Sequence, residues 1–346
     1  MGFDNGVRIL SPEEYHLWDD LVRQSPEGSC FHLGQWIERY AELSGKKEHV
    51  YGFFREGSLI GGCSGFADKK IMTSFVSSGP MTPYGGFIFA PSDSTKVREK
   101  ERVYYSIISK INDSLIKNYD YINLINSPGI VDIRPFIWNK WKSSIYYSYT
   151  FYLDKNINER ISKKVRNTVN KAKKMDISVN KEYNPESYYQ LFIRTFEKQH
   201  LIPPISKKFL LQMIEMIILN NFGEMWTART SSGELVAAEI IIWDNIRAYR
   251  WSAVLDPRFK DTGATSFLLS SIFQDLFDKG FHEINLMAGN TPQLSKFISG
   301  FNPELRFYFG VEYSNFRYNA LKVPFSFYKK KVGVLKRFLN RPVRVI

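Results

Sequence analysis

The chain has 346 residues, a formal net charge of +12 and 44% hydrophobic residues, including 27 Phe and 20 Tyr. This composition excludes a disordered or fibrous protein, and the length predicts two domains rather than one. Met1–Arg8 holds no signal-like apolar run, no stretch of about 18 apolar residues marks a membrane span, and Cys30 and Cys63 lack metal-ligand spacing. The reading is a cytoplasmic protein with reduced core cysteines, whose positive field draws phosphate-bearing partners: RNA, CoA or anionic lipid headgroups.

In chain order, Ser11-Pro12-Glu13-Glu14 predicts a helix start, with a capping serine, a proline in the first turn and a glutamate that reaches back. Leu33, Trp36, Ile37 and Tyr40 place a second helix from about Phe31. Val50–Phe54, Leu59–Phe66 and Ile71–Ser77 have strand character and form a meander. After the glycine-rich run from Gly79 to Gly86, a helix is predicted over about Lys96–Lys117 and a strand over Tyr121–Ile125. The second half repeats the order. Strands are predicted over Trp226–Arg229, Leu235–Trp243 and Arg247–Val254, then a helix over about Gly263–Lys279 and a strand over Glu283–Met287. Gly57-Ser58-Leu59-Ile60-Gly61-Gly62 parallels Gly233-Glu234-Leu235-Val236-Ala237-Ala238, and Ile-Asn-Leu recurs at 122–124 and 284–286, so duplication explains the pattern.

Between the halves, Arg160–Met175 reads as one helix with Ile161, Val165, Val169 and Ala172 on an apolar face and lysines crowding the rest. It is either a solvated basic face or a contact for RNA phosphates or anionic headgroups. The junction from Leu255 to Thr265 joins a strand to a helix, and a helix start exposes unpaired amides that bind phosphate. Its candidate binding residues are Arg258, Lys260, Thr262, Gly263, Ala264 and Thr265, although a plain structural junction has the same pattern.

A meander followed by this junction, a helix and another strand resembles the N-acetyltransferase (GNAT) fold, in which the pyrophosphate of acyl-CoA sits on that helix start. Ile284–Asn290 with Leu294–Leu305 is similar to the closing motif of the Fem-type (FemAB/FemX-like) aminoacyltransferases and of related acetyltransferases of surface-polysaccharide biosynthesis. Lys163–Asn167, Trp36 and Pro83-Tyr84-Gly85-Gly86 extend the resemblance over about residues 10–315. It implies an α/β fold of two tandem GNAT-like domains, each a mostly antiparallel mixed sheet flanked by helices. The expected division is 1–150, 151–320 with the donor site, and a basic amphipathic tail over 321–346.

Two positions depart from the Fem-type pattern: Ile298 stands where a lysine is usual, with Lys296 on another helix face, and Asn126-Ser127-Pro128 replaces an acidic residue. These shift the expected donor from aminoacyl-tRNA toward acyl-CoA, with no tightly bound cofactor and no metal. The resemblance implies an N-acyltransferase acting on an amine of a glycan or lipid-linked acceptor; a tRNA-dependent transferase and a silent glycan- or nucleic-acid-binding module are the alternatives. Such chemistry needs a proton acceptor for the amine and a donor for the oxyanion. Glu239, Tyr249, Trp251 and Asp256 are the catalytic candidates. Glu239, mid-strand among apolar residues, must be paired, outward-facing or in a cleft. Tyr84, His200, Asn285, Asn290 and Lys296 are candidates for a substrate cleft. The tail from Leu321 either lies on an anionic inner leaflet, making the enzyme peripheral there, or packs on the body.

Overall fold

The computed structural model describes residues 5–70, 72–198 and 201–321. Ile71, His200 and all but the first residue of the basic tail lie outside the described residues. The elements in order are β1 (Gly6–Ile9), α1 (Tyr15–Gln24), α2 (Gly34–Ser44), β2 (Lys47–Arg55), β3 (Ser58–Lys70), β4 (Thr73–Ser77), β5 (Gly86–Phe89), α3 (Val97–Asn118), β6 (Tyr121–Ile125) and α4 (Arg134–Trp138). Then come β7 (Lys142–Tyr152), α5 (Ile157–Arg160), α6 (Lys163–Lys174), β8 (Ser178–Lys181), α7 (Pro185–Lys198), α8 (Lys207–Leu219), β9 (Gly223–Arg229), β10 (Leu235–Trp243) and β11 (Ala248–Leu255). The series ends with α9 (Ala264–Asp278), β12 (Glu283–Asn285), α10 (Pro292–Ser299) and β13 (Glu304–Ser314).

Two compact units divide the chain: residues up to Tyr146 together with those from Phe307, and Tyr147–Arg306. The sequence reading gave 151–320 to the second half; the contacts instead return the last described strand to the first unit.

In the first unit the strands run β1-β2-β3-β4-β6-β13, with β5 beside β3. Glu56 and Gly57 both take positive φ, which closes the β2–β3 hairpin in two residues. The Glu14 carboxylate accepts the Ser11 amide at 3.0 Å, the reach-back expected of the capping sequence, and Trp18 of α1 is fully buried. The core gathers Tyr51, Phe87, Ile107, Ile111, Ile122 and Phe136. Sequence reading missed β5, whose four residues are all buried and follow a run of turn formers.

In the second unit β7, β12, β11, β10, β9 and β8 are neighbours in that order. Phe273 of α9 stacks on Phe151 of β7 with centroids 4.3 Å apart, and Phe301 meets Phe273 edge-on at 5.6 Å. The single predicted basic helix is broken: α5 ends at Arg160, and Ser162 starts α6 by accepting the Val165 amide at 3.3 Å. Lys181 and Lys279 share the carboxylates of Glu224 and Asp275, tying β8 and β9 to the end of α9.

Both units therefore hold an antiparallel meander, a helix, and a strand that pairs parallel to the meander's last strand, as β4–β6 and β11–β12. The small residues shared by the two halves have a steric reason. A Cβ on Gly62 would lie 2.3 Å from the Tyr51 carbonyl oxygen and 2.6 Å from the Trp18 ring. Gly62→Val should lower stability by about 1–3 kcal/mol through overpacking, read as a fall in the urea midpoint at unchanged m-value.

Candidate active site

In the second unit two parallel strands part after a short ladder. β11 and β12 pair only at Ala248–Ile284 and Tyr249–Asn285. Beyond that point β11 runs on to Leu255, while the chain after β12 turns toward β7: the Leu286 amide donates to Tyr149 at 2.7 Å, and Met287 takes a φ of 53°. The strand predicted to reach Met287 thus ends at Asn285, where the turn begins. A wedge results, with one wall formed by the edge of β11 from Arg250 onward, which has no strand beside it among the described residues.

The junction after β11 leads to α9, but its residues divide the work differently from expectation. Gly263 is left-handed at φ 84°, and a Cβ there would meet the Thr168 carbonyl oxygen of α6 at 2.4 Å. The glycine therefore serves close packing of α6 on α9, not an approach by phosphate. Thr262 donates to the Phe259 carbonyl at 2.7 Å and accepts the Ala264 amide at 3.3 Å, satisfying one of the first-turn donors. The amides of Thr265 and Ser266 meet no acceptor among the described residues, and Thr265 is part-exposed. Lys260 is exposed, and Lys171 of α6 donates to the Asp261 carbonyl at 2.7 Å. The helix start is thus covered by α6 on one side yet keeps two free donors and nearby cations.

Arg258, expected as a phosphate contact, has its guanidinium on Asp256 at 2.7 Å and on Glu234 at 2.5 Å, where it ties the turn after β11 to the β9–β10 turn. The same bond, with the Arg258 amide and the charge of Arg194, pulls the Asp256 carboxyl down to about 2. A carboxylate so held is a poor proton acceptor near neutral pH, and Asp256 caps the short turn at Pro257–Phe259 instead.

Of the three alternatives for Glu239, pairing is observed. Arg250 across the sheet grips it with two bonds, Nε to Oε2 at 2.8 Å and Nη2 to Oε1 at 2.6 Å, in a pair whose side chains are 7% and 1% exposed. Tyr249 and Trp251 are both buried, and the Tyr249 hydroxyl donates to Asp244 at 2.9 Å. Asn285 accepts from the Ser148 hydroxyl at 2.5 Å and the Met287 amide at 3.0 Å, while Asn290 accepts the Tyr147 amide at 2.8 Å; together they lash the turn to β7. On α10, Lys296 is exposed and Ile298 is core, which matches their assignment to different faces. Tyr84 belongs to the first unit, buried edge-on against Phe31 and Tyr308. The sequence missed Arg250, Tyr188 and Ser252, although an arginine in an apolar strand facing an isolated glutamate was a readable sign.

The first unit treats the equivalent place differently. Between β4 and β5 the chain makes an excursion over residues 78–85. The Ser78 amide donates to Asn123 at 3.2 Å, its hydroxyl accepts the Ile125 amide at 2.9 Å, and the Gly85 amide donates to Ile125 at 2.9 Å. Asn126 then accepts the Phe87 amide at 3.1 Å. These bonds stitch β6 to the excursion, so no wedge opens there.

Residues 160–293, which hold the wedge and α9, match the acetyltransferase (GNAT) domain family. In fold the chain is similar to the crystal structure of FemX, with a TM-score of 0.65 at 12% identity, over 88% of this chain and 96% of that one. A tandem GNAT protein from the clavulanic acid biosynthesis pathway gives 0.53 at 10% identity, over 88% and 97%. L-PGS from Bacillus licheniformis gives 0.50 at 13%, over 93% and 97%. No curated protein matches the sequence. The chain has the GNAT fold, and its residues 160–293 match an acetyltransferase domain. Within that class it is of the tandem kind and resembles the Fem-type enzymes, as the sequence motifs implied.

Among the described residues there is no group of His, Cys, Asp and Glu fit to hold a metal, and no helix long and apolar enough to cross a membrane.

Two outcomes test this geometry. Arg250→Met should cost about 3–5 kcal/mol in chemical denaturation by stranding the buried Glu239, and Glu239→Leu added to it should restore much of that loss. Because the Asp256 carboxyl titrates lower folded than unfolded, its contribution is complete above about pH 4 and lost as pH falls toward about 2. Asp256→Asn should flatten the stability–pH curve in that window.

Proposed function

We propose that the chain is an N-acyltransferase that moves an acyl group from acyl-CoA to an amino group of a cell-envelope or surface-glycan precursor, with the donor in the second unit. The observation that supports this reading is a contrast between the units: in the second, β11 and β12 part beside a helix start whose Thr265 and Ser266 amides meet no acceptor among the described residues, and in the first the corresponding place is stitched by Ser78 and Gly85. In the donor complex the pyrophosphate lies against Thr265, Ser266 and Lys260, and the thioester reaches into the wedge along β11. The acceptor amine attacks the thioester carbonyl, its proton passes to a base or to water, and CoA leaves as the thiol. Glu239 and Asp256, both held by arginines, are structural in this scheme, and the base is not among them.

Isothermal titration with acetyl-CoA tests the donor directly. Thr265→Asp adds a charge that suits a helix start but repels phosphate. It should leave the thermal midpoint equal or higher and weaken acetyl-CoA binding by about tenfold or more, roughly 1.4 kcal/mol of repulsion. Absence of binding by the natural sequence would refute the CoA donor.

A second reading, a donor carried on tRNA, is supported by α6. Lys163, Lys164, Lys171, Lys173 and Lys174 are exposed along a helix of 12 residues, roughly 18 Å long, which exceeds the reach of one pyrophosphate. Under that reading, filter binding of charged tRNA should weaken steeply as salt rises from about 50 to 200 mM, and substitution of these lysines should flatten the slope.

A further inference from the structure

One end of the first unit's sheet collects cations. The start of β2, the end of β3, the starts of β4 and β6 and the end of β13 meet there, through the pairs Lys47–Ala67, Lys70–Thr73, Phe75–Tyr121 and Ser314–Tyr121. The end of α3 joins them, because the Ser74 hydroxyl donates to the Asn118 carbonyl at 3.2 Å. Lys47, Lys69, Lys70, Lys117 and Arg317 are therefore grouped, and all five are exposed. Arg8, Arg23, Arg39 and Arg134 of the same unit bond Glu14, Asp20, Glu42 and Glu101, whereas these four lysines have no carboxylate partner among the described residues. Of the acidic groups here, Asp68 offsets Lys46, a half-buried cation beside Lys70. Asp120, which acts on Arg317, is buried and accepts from the Ser74 amide and from Asn315, both at 2.8 Å.

The segment after β13 lies against this same end. Tyr318 stacks on Tyr121 with centroids 4.5 Å apart and meets Phe75 edge-on at 5.8 Å. Beside that anchor Phe316 is 87% exposed, and Met72 between β3 and β4 is 56% exposed. In sequence, residues 322–346 follow directly, with eight Lys and Arg, four aromatic residues and no Asp or Glu.

Cations alone suit any polyanion, and the exposed apolar groups choose among them. A nucleic acid base stacks on a ring, but Met72, and Val332, Leu335 and Leu339 of the following segment, have no ring to offer. The interfacial layer of a bilayer takes aliphatic and aromatic side chains alike, while anionic headgroups attract the lysines. We propose that this end of the first sheet, with the basic segment that follows it, docks on an anionic lipid bilayer. The inference stands apart from the donor reading, and where the acceptor is lipid-linked it brings the enzyme to it.

Sedimentation with vesicles of phosphatidylcholine alone, and of phosphatidylcholine mixed with phosphatidylglycerol, tests it on the full chain. The natural sequence should partition to the mixed vesicles at least about tenfold more strongly. Lys69→Gln with Lys70→Gln should weaken that binding by about fivefold for each lysine removed. Phe316→Ser should weaken it at high salt as well as low, because the lost contribution is apolar and is not screened. All three changes lie on the surface, and an unaltered thermal midpoint confirms that the fold is kept. Equal partition to both vesicles, or binding that neither variant weakens, overturns the inference. So does binding that only the lysine variant weakens and that single-stranded polyuridylate displaces, which marks a nucleic acid surface. None of these outcomes alters the titration with acetyl-CoA.

Discussion

The parting of two parallel strands governs the backbone bonding of the second unit. β11 and β12 stay together for two residue pairs and then separate, because Met287 turns the chain toward β7 while β11 continues. Every backbone group on the freed edge of β11 then needs another partner, since a buried amide or carbonyl left alone is costly. A bound extended molecule with its own amides and carbonyls supplies such partners at low cost, and a helix start at the mouth of the same opening suits that molecule's anionic end.

The duplication sharpens this point. Both units share the meander, the helix and the parallel strand, yet the first unit has met the same demand from within: Ser78 and Gly85 furnish the bonds that β6 would otherwise lack. One ancestral plan thus yields two different ways of ending the parallel pair. Small residues at Gly62 and Ala238 are common to both because in each case the strand is crowded from its faces. The backbone beside Gly62 leaves no room for even a methyl group, whereas Ala238 keeps its own.

Periodicity and turn chemistry made the meanders, the long helices and the internal repeat legible, because these depend on local pattern. The strand over Tyr121–Ile125 and the one over Leu235–Trp243 came out with the predicted bounds. β5 was illegible because four buried residues after a glycine-rich run carry no periodic signal, and the broken basic helix was read as one because its apolar positions stay in phase across Ser162. At the site, the residue types were visible but their pairings were not. Glu239 was recognisable as an anomaly, yet its arginine lies on the next strand at a register shifted by a bulge, which no spacing rule foretells. Gly263 stands among the candidate binding residues in the sequence, and only the packing of α6 reveals that its missing side chain makes room for the Thr168 carbonyl.

The return of the last described strand to the first unit carries a consequence for how the molecule is made. β13 pairs antiparallel with β6 through Gly310–Ile125 and Ser314–Tyr121, so the first sheet needs a strand encoded after all of Tyr147–Arg306. During synthesis the ribosome must deliver the whole second unit before that edge of β6 is covered. For the time taken to translate that stretch, on the order of ten seconds or more at typical rates, the nascent first unit presents a bare strand edge, the kind of surface that chaperones shield and aggregates exploit.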